Sequence, residues 1–276
     1  MRVVDLHTHS HCSDGSDAPD EVVRRAAALG FAAIALTDHD TVSGVAIARQ
    51  AAEEAGMGFL SGTEISAEYD GAEIHVVGLG IDPTRPGLLA TLEALADGRL
   101  RRAERIAEKL VGAGVEIDLD AVRTRLGAGG VIGRMHIAQE IRRLGHARTV
   151  QQAFDRFLNP GGKAFVGKAR IDCAAAIEAI HGAGGLAFVA HPGIGAARRR
   201  LGKLLQLPFD GIEAYHVKHS PGRVELYLQA AAERDLLVSG GSDCHGVASR
   251  SPEMGKVRVP YECYERILEA LASRRG

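Results

Sequence analysis

The sequence predicts an α/β protein whose strands close into a barrel, with a helical insertion between two of them. Three observations carry that prediction. Seven short apolar runs recur along the 276 residues, at 3–6, 31–36, 57–60, 74–79, 186–190, 211–214 and 236–239. Ala-rich amphipathic stretches lie between them, and several stop at a glycine just before the next run, as at Gly30, Gly56 and Gly184. Glycine there is the usual helix C-terminal stop. Strand–helix–strand alternation implies parallel strands joined by right-handed crossovers. Seven strands is one fewer than the common eight-stranded barrel, so a closed, barrel-like sheet fits better than an open one.

One segment departs from the alternation. Residues 65–69, then Asp70-Gly71, then 72–79 read as a β-hairpin, because Asp-Gly is a strong signal for a two-residue turn. Counting back from that turn puts Ser66 opposite His75. Glu64 shares a face with Ser66, so Glu64 and His75 are diagonal neighbours, roughly 7–8 Å apart and able to reach one ion.

Residues 87–163 differ in character. They are charged and helical, with Leu92, Leu95, Ala103, Ile106 and Leu110 near a 3.6-residue period and no convincing strand. The stretch is too long for one crossover helix. It is punctuated by glycines at 127–130 and by the turn Asn159-Pro160-Gly161-Gly162. The expected organisation is a discontinuous barrel, 1–86 and 164–276, with 87–163 as an insertion forming part of the substrate pocket.

Composition narrows the function. Hydrophobic residues make up 46% and charged residues 25%, as in an ordinary globular protein. No apolar run approaches the ~20 residues that span a membrane, and MRVVDLHTHS lacks a signal-peptide core. A cytoplasmic location is the default expectation. Net charge is -2, so an anionic substrate must be held by local charge or by metal. Cys12, Cys173, Cys244 and Cys263 form no CxxC pair, which argues against a zinc knuckle. Trp is absent and aromatics are 4%, which argues against a stacking platform for long single strands.

The 12 histidines are the conspicuous feature, because several sit beside carboxylates. His7, His9 and Asp14 follow the first run; Asp38, His39 and Asp40 the second; Glu64 the third. His75 lies on the hairpin, His191 follows 186–190, and Asp243 and His245 follow the last run. Nearly every cluster therefore sits at the C-terminal end of a strand, where α/β barrels build their active sites. In His7-x-His9, alternate residues of an extended segment point the same way, so both imidazoles reach one ion. A single histidine after a strand is usually a hydrogen-bonding loop residue. Six histidines together with these acids at one end of one sheet point instead to metal. Imidazole with carboxylate suits Zn, Mn or Fe(II).

These segments resemble the PHP family (polymerase and histidinol phosphatase). The resemblance lies in His7-Thr8-His9-Ser10, Ser13-Asp14-Gly15, Thr37-Asp38-His39-Asp40, Gly62-Thr63-Glu64, His75-Val76-Val77-Gly78, Ala190-His191-Pro192 and Gly241-Ser242-Asp243-Cys244-His245. The motifs span nearly the whole chain in family order. The insertion, with Gly133-Arg134-Met135-His136, resembles the stand-alone subgroup that hydrolyses nucleoside 3′,5′-bisphosphates and trims short RNAs from the 5′ end. The resemblance implies a distorted seven-stranded (β/α) barrel and three divalent ions, Mn²⁺ first, with Fe²⁺ or Zn²⁺ as alternatives. It implies that His7, His9, Glu64 and Asp243 hold the first ion. Glu64, His75 and His191 would hold the second, with Glu64 bridging. Asp14, His39 and His245 would hold the third.

The reaction so implied is hydrolysis of a nucleotide phosphomonoester by a metal-activated hydroxide. Arg134 is the first choice for a phosphate, because a guanidinium fork binds two oxygens. His136 is its candidate neighbour, and Lys168 a candidate source of positive charge. His219 is read as touching a phosphate or protonating the leaving oxygen. Asp40 is read either as orienting a ligand or catalytic water, or as capping the following helix. A nucleotide or short RNA end is the expected partner, with no membrane and no obligate protein partner. The alternatives are a histidinol-phosphate-type or general phosphatase, and a non-catalytic metal-binding module serving nucleic-acid enzymes.

Overall fold

The computed structural model describes residues 2–126, 132–167, 170–247 and 254–275. It divides into two units, Met1–Leu92 with Ile171–Gly276, and Glu93–Arg170. In chain order the first unit runs β1 (Val3–Asp5), α1 (Pro19–Ala28), β2 (Ala33–Leu36), α2 (Val45–Glu54), β3 (Gly58–Tyr69) and β4 (Ala72–Leu79), then opens α3 (Pro86–Gly112). The second unit continues α3 and adds α4 (Leu119–Leu126), α5 (Arg134–Arg143) and α6 (Val150–Ala153), which runs into a π-helical turn (Phe154–Leu158). The chain returns with β5 (Ile171–Asp172), α7 (Cys173–Gly182), β6 (Leu186–Val189), α8 (Ala197–Leu204), β7 (Gly211–His216), α9 (Pro221–Ala232), β8 (Leu237–Gly241), β9 (Val259–Pro260) and α10 (Tyr261–Arg275). The first crossing between units falls inside one helix, so no turn signal marks it. The glycines at 127–130 lie outside the described residues.

All seven apolar runs are strands, but among the described residues the sheet has nine. Its path is β8-β7-β6-β4-β3-β2-β1-β9, with β5 paired to β3. The two extra strands, β5 and β9, are two residues each, too short to leave a periodic signature. β1–β2, β2–β3, β6–β7 and β7–β8 pair in parallel, whereas β4 runs antiparallel to both neighbours. The segment after β1 hydrogen-bonds to the end of β8, through Leu6 N to Gly240 O (3.0 Å), Asp243 N to His7 O (2.9 Å) and His9 N to Cys244 O (3.0 Å). The sheet is therefore a nearly closed barrel.

Helix stops follow the sequence. Gly30, Gly56 and Gly184 take φ of +78°, +64° and +72°, a region that costs a residue with a Cβ. The hairpin turn is of the primed kind, with Asp70 at +52° and Gly71 at +70°, and Ser66 pairs with His75 as counted. One boundary differs from expectation. The third run and the first hairpin arm are a single strand, β3, whose first half pairs with β2 and second half with β4. Glu64 therefore lies within a strand and not beyond its end.

Alternation buries both faces of the wall. Ala33 and Ala35 join Val4, Leu6, Leu60, Val77, Leu79 and Phe188 in one cluster, with Ile267 and Leu271 of α10. Ile34 and Leu36 pack the other way, with Val22, Val23 and Ala26 of α1 and Ala48 and Ala52 of α2. Each Val, Leu, Ile or Phe among them contributes about 1.5–3 kcal/mol when fully buried, which fixes the strand ends that carry the polar residues. The second unit has its own core, in which Ala103, Ile106 and Leu110 of α3 meet Ile137 and Ile141 of α5 and Phe157. No described helix is long and apolar enough to cross a membrane.

Candidate metal centre

Glu64 is the hub. It is fully buried, and five imidazoles surround its carboxylate. His75 Nδ1 lies 2.8 Å and His191 Nε2 3.0 Å from Oε1. His39 Nδ1 lies 3.1 Å, and His7 and His9 Nε2 each 3.2 Å, from Oε2. The hairpin register explains the first of these contacts, since a diagonal pair across β3 and β4 converges when both side chains lean together. Asp243 Oδ1 faces His9 Nε2 at 3.2 Å and His7 Nε2 at 3.7 Å. Asp14 Oδ1 meets His245 Nε2 at 3.2 Å, and the His9 and His245 rings stack at 4.3 Å. Three groups emerge whose ligand atoms lie within 4.8 Å of one another: His7, His9, Glu64 and Asp243; His9, Asp14, His39 and His245; His39, Glu64 and His75.

The surrounding loops are built to hold these groups. Asp38 accepts from Ser10 N (2.7 Å), Ser10 Oγ (2.7 Å) and Ser13 Oγ (2.6 Å), which braces the turn that presents Asp14. A Cβ at Gly15 would lie 2.7 Å from the His9 carbonyl oxygen, so that turn requires glycine. His191 has φ +27° and Asp243 φ +54°. Left-handed backbone at non-glycine residues is costly and tends to mark functional sites.

Charge in the cluster is strongly coupled. Burial alone would raise the Glu64 carboxyl, but the imidazoles of His39, His75 and His7 and a hydrogen bond from His191 hold it well below the usual range. Burial likewise opposes ionisation of Asp14 and Asp243, and neighbouring histidines hold both well below normal. Burial disfavours charge on His9 too, yet hydrogen bonds to Asp243 and Glu64 push it up to about 10. His39 goes the other way, pushed down to about 3 by burial.

Divalent ions fit this donor set. His7 Nδ1 faces Glu213 Oε1 at 3.0 Å, and His245 Nδ1 faces the Asp243 carbonyl at 2.8 Å. A carboxylate and a carbonyl only accept, so both Nδ1 atoms donate and each Nε2 is the atom that can offer a lone pair to an ion. The Nε2 atoms of His7 and His9 face each other at 3.1 Å. Glu64 Oε2 and His39 Nδ1 face each other at 3.1 Å, both buried. Among the described residues no Lys or Arg pairs with Glu64, Asp14 or Asp243; a divalent cation would neutralise them.

Other expected residues fall elsewhere. Asp40 does not cap a helix: its Oδ1 accepts from Ser66 N (2.6 Å) and Oδ2 from Ser66 Oγ (2.8 Å), tying the loop after β2 to β3. The His219 ring is committed to backbone, since Nδ1 donates to Ala214 O (2.8 Å) and Nε2 accepts from Gly193 N (3.1 Å). Neither nitrogen is left to protonate a leaving oxygen, as the sequence suggested. Arg134 and His136 open α5 in the second unit. Arg134 reaches Leu158 O (3.4 Å), and His136 Nδ1 accepts from Gly133 N (3.0 Å). Lys168 lies outside the described residues.

The sequence reading missed Glu213 and His216. Glu213 accepts from His7 Nδ1 and, at 2.6 Å, from His191 N. His216 Nε2 lies 3.5 Å from Asp243 Oδ2. An acid inside the apolar run 211–214, at the same sheet end, was the available signal.

Known proteins agree with this geometry. The PHP domain pattern matches residues 5–126. The chain is 36% identical over 260 residues to a 3′,5′-nucleoside bisphosphate phosphatase of Chromobacterium violaceum, covering 92% of this chain and 91% of the relative. It is 38% identical to a 5′-3′ exoribonuclease of Haemophilus influenzae, covering 87% and 89%. A solved structure from Bifidobacterium adolescentis, assigned as a metal-dependent phosphoesterase, superposes with TM-score 0.86 at 31% identity, covering 97% and 96%. Fold, site and relatives together define a metal-dependent hydrolase of phosphoric esters. The chain belongs to the PHP domain family.

Proposed function

We propose that the chain removes the 3′-phosphate from nucleoside 3′,5′-bisphosphates and also trims short 5′-phosphorylated RNA. The observation that carries the reading is the buried Glu64 carboxylate, ringed by five imidazoles with no Lys or Arg beside it among the described residues. The substrate class follows the relatives named above, which cover most of this chain.

In this reading His7, His9, Glu64 and Asp243 hold one ion, Glu64, His75 and His191 a second, and Asp14, His39 and His245 a third. The first set is supported as it stands by the spacing of its ligand atoms, and the third is supported with His9 added. Mn²⁺ suits this mixture of imidazole and carboxylate. When bound, the ions supply positive charge for the phosphoryl oxygens and acidify water for attack. The protein's own groups position: Glu213 fixes the tautomer of His7, Asp38 holds the Asp14 turn, and Asp40 holds β3 beside Glu64. Arg134 offers a guanidinium fork to the phosphate that is not attacked, with His136 beside it in sequence and Lys168 adding charge. A cytoplasmic location and action without an obligate protein partner accompany this reading.

The test is phosphate release from adenosine 3′,5′-bisphosphate, with AMP and histidinol phosphate alongside, in Mn²⁺ and after chelation. The reading expects chelator-sensitive release from the bisphosphate that leaves AMP intact. Release only from histidinol phosphate would favour the general phosphatase. No release from metal-loaded protein would favour a binding module.

A further inference from the structure

Strand β7 contributes none of the nine proposed ligands, yet it places two buried polar side chains against them, Glu213 and His216. These residues are three apart. In a regular strand they would point to opposite faces. The pairing with β8 shows why they do not. Glu213 faces Ser239 and Tyr215 faces Gly240, so Ala214 is an extra residue, a β-bulge. Beyond it the alternation is reset, and His216 turns to the same end as Glu213. A bulge beside a site commonly re-aims a side chain in this way.

The bulge is itself held. The Ala214 carbonyl accepts the Nδ1–H of His219, whose Nε2 accepts the N–H of Gly193, two residues beyond His191. A Cβ at Gly193 would lie 2.6 Å from the His219 ring, so the two loops are in direct contact. The role of His216 follows from its own bonds. Its Nδ1 accepts from Lys218 N at 3.1 Å, so the ring proton sits on Nε2, the atom 3.5 Å from Asp243 Oδ2. In that tautomer the buried Nε2–H of His216 is turned toward Asp243, at a distance longer than a closed hydrogen bond, and His216 is not an ion ligand. Asp243 Oδ1 is then the oxygen left facing His7 and His9.

We propose that the Ala214 bulge, pinned by His219, is a positioning device that turns His216 onto Asp243 and so aims that carboxylate at the ion-binding cluster. His216 and His219 are positioning residues that act through Asp243. The inference rests on the metal reading above.

The experiment uses the full chain, stripped with chelator and titrated with Mn²⁺, comparing wild type, His216→Phe, His219→Leu and the double variant. Each single change is expected to weaken Mn²⁺ binding by about 10–100-fold, the usual cost of losing a group that orients a ligand. Because both act along one path, the double variant is expected to be little weaker than the worse single one. His219→Gln and His216→Gln keep a donor and an acceptor and are expected to recover most of the affinity. Wild-type Mn²⁺ affinity in His219→Leu, or penalties that add in full, would overturn the proposal. If His219→Leu does not fold, His219→Asn carries the same test, because its shorter amide reaches only one of the two backbone partners. A wild-type protein that takes up no Mn²⁺ would instead bring down the metal reading itself.

Discussion

Two buried glutamates in this chain are handled in opposite ways. Glu140, in the helical unit, is clamped by Arg143 through Nε and Nη2, each at 2.8 Å, and by Arg125 at 2.5 Å. Its carboxyl is held below the usual range by the hydrogen bond from Arg143, with Arg125 adding to the effect. Glu64, in the barrel, has five imidazoles and, among the described residues, no guanidinium or ammonium beside it. A buried carboxylate needs a counter-charge. Where the role is structural, the chain supplies it from its own side chains. Around Glu64 the chain supplies titratable imidazoles, which must give up their protons to act as ligands, so in the metal-loaded protein the counter-charge has to come from the ions.

The largest expected effect tests that contrast at its centre. Glu64→Gln keeps the shape and removes the charge. It should lower kcat/KM by at least about a thousand-fold, the scale of losing a principal electrostatic group in a site, and should reduce Mn²⁺ bound per chain. Near-normal turnover with a full metal complement would show that Glu64 is merely a well-packed acid.

Next comes Glu213→Gln, which leaves His7 Nδ1 without its carboxylate partner. Mn²⁺ affinity should fall by about 10–100-fold with little change in melting temperature. An equal loss in stability and none in affinity would make Glu213 a core residue only.

Proton linkage sharpens the comparison further. His9, pushed up to about 10, carries a proton at pH 7 in the metal-free protein and must lose it to bind an ion. Mn²⁺ uptake should therefore release protons, and apparent affinity should rise about tenfold per pH unit per proton between pH 6 and 8. Calorimetry in buffers of different ionisation enthalpy reads this directly; binding heats independent of buffer would contradict it.

The smallest effect belongs to Glu140. Its folded pKa lies below its unfolded one, so its stabilisation is fully present above the unfolded value and is lost as pH falls through the folded one. Glu140→Gln should cost about 1–3 kcal/mol at pH 7, and the difference from wild type should vanish at strongly acid pH. Metal content should not change.

Much of this was legible in the sequence because it obeys short-range rules. The Asp70-Gly71 turn fixes the hairpin register, which carries His75 to Glu64, and the alternation in His7-x-His9 brings two rings to one place. What escaped depends on departures from those rules. The Ala214 bulge has no local signature, so the two-residue period misplaces His216 relative to Glu213. His219 looked chemical by type, and its partners, Ala214 O and Gly193 N, are backbone atoms that no side-chain pattern reports. The continuity of β3 was hidden because the apolar run stops at Leu60 and the hairpin arm reads only from Ile65, with Gly62 between them. In the fold a Cβ there would meet Thr37 and the Gly78 carbonyl, so that glycine serves close packing.

The most direct test of the missing counter-charge is anomalous diffraction from crystals of the Mn²⁺-loaded full chain. The account predicts manganese peaks in contact with Glu64 and shared among His7, His9, His75, His191 and Asp243. Manganese that binds elsewhere, or a Glu64 carboxylate still ringed only by histidines at saturating metal, would contradict it.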